Sequence, residues 1–287
     1  MISRSTWLHL RIPFSFFLLP VFLLGLSLVS DIDLVKAGLI FVILHFLLYP
    51  ASNGYNSYFD KDEDSIGGLE KPPEVSRQLY WVSLGLDGLA LLLSLLLGPL
   101  FLVMAFVYGL ISKAYSHPAI RLKKMPVTGW LAAGLFQGAF TVLMVYEGMT
   151  GEGYEAFLEP EIYTPALLSS LLLMGSYPMT QIYQHEEDGR RGDETISRKL
   201  GILGTFHFTA IFFAIADAGF TWYFITYRDP ALAWLFQFFL LPVLVYFITW
   251  YIAVRQNRKA VTYRRTMRLN TLSALCLNVF FLVVTVY

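Results

Sequence analysis

The sequence predicts an all-α, polytopic membrane protein with nine transmembrane helices in a bundle around a central cavity. Of its 287 residues, 56% are hydrophobic and only 15% are charged, whereas soluble domains carry about 25% charged residues. In addition, nine apolar runs approach the roughly 20 residues that a helix needs to cross a bilayer. The high apolar content excludes disordered and collagen-like chains, and the single cysteine, Cys276, excludes an internal disulfide.

The nine apolar runs follow one another with short connections. They lie near residues 13–30, 36–58, 78–97, 98–115, 126–146, 163–184, 204–226, 230–254 and 268–287. Gly98-Pro99 separates the third run from the fourth, and Asp229-Pro230 marks the turn between the seventh and the eighth. No connection is long enough to hold a second domain, so we expect one domain over residues 1–287.

The basic residues fall almost entirely on one side of the predicted membrane. With nine spans, the N-terminus and every second loop share a side, and 19 of the 21 lysines and arginines lie there. Only Lys36 and Arg228 lie on the other side. Since basic residues mark the cytoplasmic side of short loops, we expect the N-terminus and these loops to be cytoplasmic. Basic and acidic residues are equal in number, so the net charge predicts no nucleic-acid partner.

The second apolar run ends directly in a segment rich in carboxylates. Asn56, Asp60 and Asp64 are spaced four residues apart, so on a continuing helix they would line one face. Placing these polar and charged side chains together at a membrane boundary costs free energy unless a cation lies between them. Taken alone, the segment is explained equally well as a solvated acidic helix end.

The sixth run ends in the same way, with Gln184 and Asp188 four residues apart. The predicted topology places both acidic ends on the same side, where they could converge on one pocket. Mg²⁺ is usually held by one or two carboxylates together with phosphate oxygens and water. The two ends therefore predict a site for a diphosphate bridged by Mg²⁺, and no clustered histidine or cysteine favours zinc.

Basic residues near the acidic ends are candidates for binding the diphosphate. Lys113 and Arg121 lie near the end of the fourth run, Lys71 follows the first acidic segment, and Arg191 follows the second. The general basic bias of these loops explains any one of them. As a set, they favour phosphate binding.

The two acidic segments resemble the two aspartate-rich motifs of the UbiA superfamily of membrane-embedded prenyltransferases. The first motif has the form N-x-x-x-D-x-x-x-D, as in the first segment, and Asp188, Gly192 and Thr195 match positions of the second. Residues 115–123 resemble the loop after the fourth helix of the family. Gln184 replaces the usual first aspartate of the second motif. Because glutamine offers a metal only a neutral carbonyl oxygen, we expect weaker metal binding there.

The resemblance implies an enzyme that transfers an isoprenyl group from an isoprenyl diphosphate to an acceptor in the membrane, with Mg²⁺-assisted loss of pyrophosphate. We expect a small hydrophobic or aromatic acceptor. The implied catalytic residues are Asp60, Asp64 and Asp188. The implied metal ligands are the same three residues together with Asn56 and Gln184. The implied diphosphate-binding residues are Asn56, Lys71, Lys113, Tyr115, Arg121, Gln184 and Arg191.

Two other classes are alternatives to a prenyltransferase. An ion-coupled transporter would use the acidic helix ends as a cation site, although such sites lie near the bilayer midplane on broken helices. A phosphotransferase of the CDP-alcohol type would share the fragment Asp188-Gly189-Arg190. The aspartates that this second class requires on either side of the fragment are missing from the sequence.

Overall fold

The computed structural model describes residues 2–286, which form long helices joined by short loops. In chain order the helices are α1 (Arg4–Leu26), α2 (Leu34–Asp60), α3 (Arg77–Leu97), α4 (Pro99–Ser116), α5 (Pro126–Thr150), α6 (Pro160–Gln181), the short α7 (His185–Arg191), α8 (Ile196–Tyr227), α9 (Pro230–Gln256) and α10 (Tyr263–Val286).

The predicted class and the count of nine long helices are confirmed. Within residues 2–286, eight of them have the length and mean hydropathy of membrane spans. The ninth, α6, has 22 residues and packs along α8; its prolines and serines make it less apolar. The chain is therefore an integral, multi-pass membrane protein.

Polar caps explain where several helices begin. Helices α1 and α8 start before their apolar runs because the Ser3 and Thr195 side chains accept hydrogen bonds from the backbone N–H groups of Thr6 and Arg198. The turn at Asp229-Pro230 is present as predicted, since the Asp229 carboxylate caps α9 at 2.8 Å from the Ala231 nitrogen. The break at residues 98–99 is also present, with proline as the first residue of α4.

Helix α5 bends at Gly138, where it lies against α6. The backbone of Gly138 departs from helical geometry, with φ −97° and ψ −105°. A Cβ atom there would lie 2.5 Å from the Ser170 hydroxyl oxygen, so only glycine fits. The same hydroxyl accepts a hydrogen bond from the Ala139 nitrogen at 2.8 Å. This contact fixes α5 and α6 against each other beside the cavity.

Three apolar clusters hold the bundle together. The first cluster contains residues of all five helices from α1 through α5 and is centred on Ile40 and Phe101. The second contains residues of α1, α5, α6, α8, α9 and α10 and is centred on Phe220 and Phe280. The third packs α6 against α8, α9 and α10 around Trp250. The predicted central cavity is present, with walls from α1, α2, α4, α5, α6, α8, α9 and α10.

Candidate active site

The last turns of α2 carry the first acidic segment into the cavity. Asn56 and Asp60 both line it, and the Asn56 amide nitrogen donates to the Ser116 hydroxyl at 2.8 Å, which joins α2 to the end of α4. Helix α2 ends at Asp60 because Lys61 adopts the left-handed conformation, with φ 48°. The Asp60 side chain is only 5% exposed.

The predicted continuation of this helical face to Asp64 is wrong. Since α2 ends at Asp60, the segment that follows turns away, and the Asp64 side chain is 60% exposed and pairs with Arg190 at 2.5 Å. Asp62 lines the cavity instead and forms an ion pair with Arg191. Asp64 therefore lies at the rim of the site, held to α7 by its ion pair.

The second acidic segment enters the cavity through a break between α6 and α7. A single turn of 3₁₀-helix, Ile182–Gln184, joins the two helices, and both Gln184 and Asp188 line the cavity. The Gln184 side-chain nitrogen donates to the Ser65 carbonyl at 3.0 Å. Its amide oxygen is therefore the atom that it can offer to a ligand.

The surroundings of Asp188 shift its pKa away from the ordinary value of an aspartate. Burial raises its pKa to about 6, and the negative charge of Asp193 contributes in the same direction. The Thr195 hydroxyl donates to the Asp188 carboxylate at 3.4 Å. Asp188 thus faces the cavity as an acid that titrates near physiological pH.

Two cations of the loop after α4 face the acidic residues. Lys123 lines the cavity and forms an ion pair with Asp60. The Arg121 guanidinium is not part of the cavity wall and lies behind it, 3.2 Å from Asp193 and 3.9 Å from Asp60. Together with Arg191, which pairs with an acidic residue of each segment, these cations join the ends of α2 and α7.

Two predicted diphosphate ligands lie elsewhere. Lys71 is an exposed residue of the loop before α3 and is not part of the cavity wall. Lys113 points between α3 and α4, where its nitrogen lies 2.6 Å from the Asp87 carboxylate and 5.1 Å from the centre of the Tyr55 ring. The nearby buried carboxylate therefore holds Lys113 away from the acidic segments.

Tyr115 lies at the end of α4 and lines the cavity, as does Tyr177 of α6. Their hydroxyl groups hydrogen-bond to each other, and the Gln181 side-chain nitrogen donates to the Tyr177 oxygen at 3.0 Å. The paired rings occupy the wall where the polar part of the cavity meets the apolar part.

The cavity has a volume of about 1160 Å³ and contains both acidic segments. Asp60 and Asp188 belong to its polar end, and most of the remaining wall is apolar, including Phe136, Phe213 and Phe247. The space is therefore suited to a molecule with an anionic head and a hydrocarbon tail.

Several cavity residues were not selected from the sequence. Asp62 and Lys123 stand in segments already recognised as charged, but pattern matching favoured other positions in those segments. Asp193 lies between the matched positions Gly192 and Thr195 of the second motif, and Tyr177 is one of 17 tyrosines. Arg11 reaches the cavity wall because it breaks α1 and donates to the Gly67 carbonyl at 3.1 Å. No sequence signal distinguishes these last three from their neighbours.

The donor atoms at the polar end fit a magnesium ion that shares its ligands with a substrate. Asn56, Asp60, Gln184 and Asp188 offer only oxygen to a metal, which is the donor type that Mg²⁺ prefers. Within residues 2–286, no three acidic, histidine or cysteine side chains lie close enough to hold a metal ion by themselves. Phosphate oxygens commonly complete such incomplete sets.

A family model described as the UbiA prenyltransferase family matches residues 15–272. The chain belongs to the UbiA prenyltransferase family. UbiA membership identifies it as a prenyltransferase that moves isoprenyl groups within a membrane, and it decides against the transporter and the CDP-alcohol phosphotransferase. A search of curated proteins gave no match.

Solved structures of UbiA homologues share the fold over almost the whole chain. A homologue from Archaeoglobus fulgidus bound to GPP and Mg²⁺ is 17% identical, with a TM-score of 0.67 over 99% of this chain and 100% of that one. An apo homologue from Aeropyrum pernix K1 is 19% identical, with a TM-score of 0.74 over 95% and 98% of the two chains. A digeranylgeranylglyceryl phosphate synthase is 16% identical, with a TM-score of 0.61 over 99% and 97%.

Proposed function

We propose that this protein catalyses Mg²⁺-dependent transfer of an isoprenyl group from an isoprenyl diphosphate to an aromatic acceptor dissolved in the bilayer. The observation that carries the proposal is the shared cavity: Asp60 and Asp188 lie in one space whose remaining wall is largely apolar. The A. fulgidus homologue bound to GPP and Mg²⁺ supports the choice of donor and metal.

The polar end is assigned to the diphosphate and its metal ions. Asp60 and Asp188, with Asn56 and Gln184, would hold Mg²⁺ through their oxygen atoms, and the rim residue Asp64 would support this site from outside the cavity wall. When bound, Mg²⁺ would stabilise the negative charge that develops on the departing pyrophosphate.

Cations at the polar end are assigned to the phosphate oxygens. Lys123, Arg121 and Arg191 are paired with carboxylates, so donor binding would exchange partners: the cations turn to phosphate and the carboxylates turn to metal. The exchange keeps each charge compensated, which limits the cost of desolvation. Lys71 and Lys113 have no part in this assignment, because the first is on the surface and the second is paired with Asp87.

The apolar wall is assigned to the isoprenyl group. As the carbon–oxygen bond to the diphosphate breaks, positive charge develops on the allylic carbon, and water must be kept from it. Tyr115 and Tyr177 lie beside the polar end, where their ring faces would stabilise this charge. The acceptor nucleophile then forms the new bond to the same carbon and releases a proton.

The acceptor and the orientation complete the proposal. We assign an aromatic acceptor, since a flat apolar ring fits beside the donor in a cavity of about 1160 Å³. We assign the polar end of the cavity to the cytoplasmic side, because 19 of the 21 basic residues lie on that side of the predicted topology.

The test is pyrophosphate release by the purified protein in lipid nanodiscs. Geranyl, farnesyl and geranylgeranyl diphosphate are each combined with aromatic acceptors or with a prenylated glyceryl phosphate, in Mg²⁺ or in EDTA. We expect Mg²⁺-dependent release that requires an aromatic acceptor. Release with the glyceryl phosphate alone would refute the acceptor assignment, and no release in any combination would refute the proposal as a whole.

A further inference from the structure

The outer side of helix α10 changes from basic to apolar along its length. Four exposed residues, Arg264, Arg268, Thr271 and Leu275, follow one another at intervals of four, three and four positions. This spacing places them on one side of the helix. Leu269, which lies between them in sequence, is buried on the other side. The exposed side is therefore charged where α10 begins and apolar two turns later.

A groove of about 430 Å³ runs along this side of the helix. Arg264 and Arg268 line its beginning, and Leu272 and Leu275 line its end. Met267 lines both this space, the α10 groove, and the cavity that contains the acidic segments. The groove therefore lies on the outer side of the cavity wall, and it is a separate space.

The basic residues of the α10 groove have little acidic compensation. Residues 255–268 include six lysines and arginines and no aspartate or glutamate. Arg264 pairs with Glu70 at 3.0 Å, but the two side chains are 76% and 49% exposed, and such a surface pair is weak. Within residues 2–286, Arg268 forms no ion pair with a carboxylate. The groove thus offers two guanidinium groups to an anion.

The α10 groove lies where lipid headgroups meet the hydrocarbon of the bilayer. Helix α10 is a membrane span that begins at Tyr263, and Arg268 is about 8 Å along it. Arg268 is also the last charged residue of α10, so the boundary of the hydrocarbon lies close to it. An arginine at this depth extends its guanidinium group towards the headgroups.

We propose that the α10 groove binds an anionic phospholipid. Its phosphate would lie between Arg264 and Arg268, because guanidinium groups match the geometry of phosphate oxygens. Its acyl chain would lie along Leu272 and Leu275, which a free phosphate ion would not contact. The groove lies outside the cavity, so this inference does not depend on the proposed function.

The first experiment measures lipid binding to the full chain. Purified protein in a non-ionic detergent is titrated with dioleoyl phosphatidylglycerol or dioleoyl phosphatidylcholine, and bound lipid is counted by native mass spectrometry. We expect Arg268→Gln to weaken the apparent affinity for phosphatidylglycerol about fivefold, the usual contribution of one basic residue near a membrane surface. The affinity for phosphatidylcholine should not change.

The matched control for this variant is Arg258→Gln. Arg258 is an exposed arginine of the loop before α10 that does not line the groove. Its replacement removes the same charge, so we expect it to leave the affinity for phosphatidylglycerol unchanged. An equal loss in both variants would mean that general surface charge attracts the lipid, and it would overturn the proposal.

A second variant should strengthen binding. Glu70→Gln frees the Arg264 guanidinium from its carboxylate partner, so we expect the affinity for phosphatidylglycerol to rise about twofold. The control is Glu74→Gln, which changes an exposed glutamate of the same loop that is not paired with Arg264. The same increase in both variants, or an increase in neither, would contradict a phosphate position at Arg264.

The third experiment locates the lipid on the unaltered protein. A phosphatidylglycerol with a diazirine in its acyl chain is photocrosslinked to the protein in phosphatidylcholine nanodiscs, and the adducts are mapped by mass spectrometry. We expect adducts concentrated in residues 267–275 and reduced by excess phosphatidylglycerol, but not by the same concentration of glycerol phosphate. Adducts spread evenly over the lipid-facing helices would refute the site, and equal competition by glycerol phosphate would refute a lipid as its occupant.

These measurements are independent of turnover. If the protein releases no pyrophosphate but Arg268→Gln weakens lipid binding, the proposed function fails and the lipid site stands. If the wild-type protein is active but the Arg268 and Arg258 variants bind lipid equally, the lipid site is refuted and the proposed function stands.

Discussion

The two acidic segments of the cavity differ in how their charges are compensated. At the end of α2, Asp60 is buried and forms an ion pair with Lys123, with Arg121 nearby. At α7, Asp188 is half-buried and has a threonine hydroxyl as its hydrogen-bond partner, and its pKa is raised to about 6. The difference shows that similar sequence motifs can produce one carboxylate held in a direct ion pair and one that is not.

This difference has a consequence for metal binding. A ligand arriving at Asp60 must displace a cation in direct contact with the carboxylate, whereas Asp188 feels the charge of Lys123 without a direct ion pair. We therefore expect the α7 side to be the more sensitive to pH and the α2 side to be the more important for stability.

The largest expected effects are on turnover. Asp60→Asn and Asp188→Asn each remove a charged oxygen from the proposed metal site, so we expect kcat to fall by about 10²–10³-fold, as on loss of other groups that stabilise transition-state charge. Pyrophosphate release at saturating Mg²⁺ measures this. The control is Asp31→Asn, an exposed residue of the α1–α2 loop, which should retain full activity. Full activity in either site variant would remove its assigned role.

The same pair of variants should differ in stability. Asp60→Asn leaves the ammonium group of Lys123 without its partner in a site where that side chain is 13% exposed. We expect a loss of about 3 kcal/mol in the free energy of unfolding, and little change for Asp188→Asn, because no ion pair is broken. Thermal unfolding in detergent tests the contrast. Equal stability of the two variants would contradict it.

Asp64 tests how far the first segment extends. Because its side chain is at the rim, we expect Asp64→Asn to raise the Mg²⁺ concentration for half-maximal rate about tenfold, as for residues that support a metal site indirectly. The rate at saturating Mg²⁺ should be largely retained. A loss as large as that in Asp60→Asn would instead mean that residues 61–64 continue α2 when the donor binds.

The pH dependence of the reaction should follow Asp188. A carboxylate must be deprotonated to bind a metal, and burial raises the pKa of this one to about 6. We therefore expect kcat/KM for the donor to fall as the pH decreases through about 6 and to level off above it. Rate measurements from pH 5 to pH 8 check the profile. A break that persists in the residual activity of Asp188→Asn would assign it to another group.

The smallest expected effect concerns Gln184. Gln184→Asp adds a charged oxygen donor beside Asp188, so we expect tighter Mg²⁺ binding, by roughly fivefold in half-maximal concentration. Gln184→Leu is the matched control, since it also loses the hydrogen bond to the Ser65 carbonyl but gains no charge. Weaker Mg²⁺ binding in Gln184→Asp than in Gln184→Leu would contradict the expectation.

Much of the fold could be predicted from the sequence because the bilayer imposes a length and a polarity on each helix. The helix count, the breaks at residues 98–99 and 229–230, and the acidic helix ends all follow from local patterns. Helix ends were less predictable. Lys61 stops α2 in a left-handed conformation, and no composition signal separates it from a residue that continues the helix.

The cations show the limit of sequence inference most clearly. Lys113 and Lys123 are both basic residues near the end of α4, and the positive-inside bias explains both equally well. Their roles differ because Lys113 forms an ion pair with Asp87 of α3, whereas Lys123 forms an ion pair with Asp60 of α2. Such pairings depend on which helices are neighbours, and residue spacing along a single sequence does not contain that information.

The sequence by itself determined that this chain spans a membrane with nine helices and carries two acidic segments, because hydropathy and residue spacing are local properties. Only the tertiary structure decided which charged side chains share the cavity and which are paired elsewhere. Those features arise from contacts between residues far apart in the chain. Residue spacing alone allows several such contacts, and the packing of helices α2, α4, α6, α8 and α9 determines which of them form.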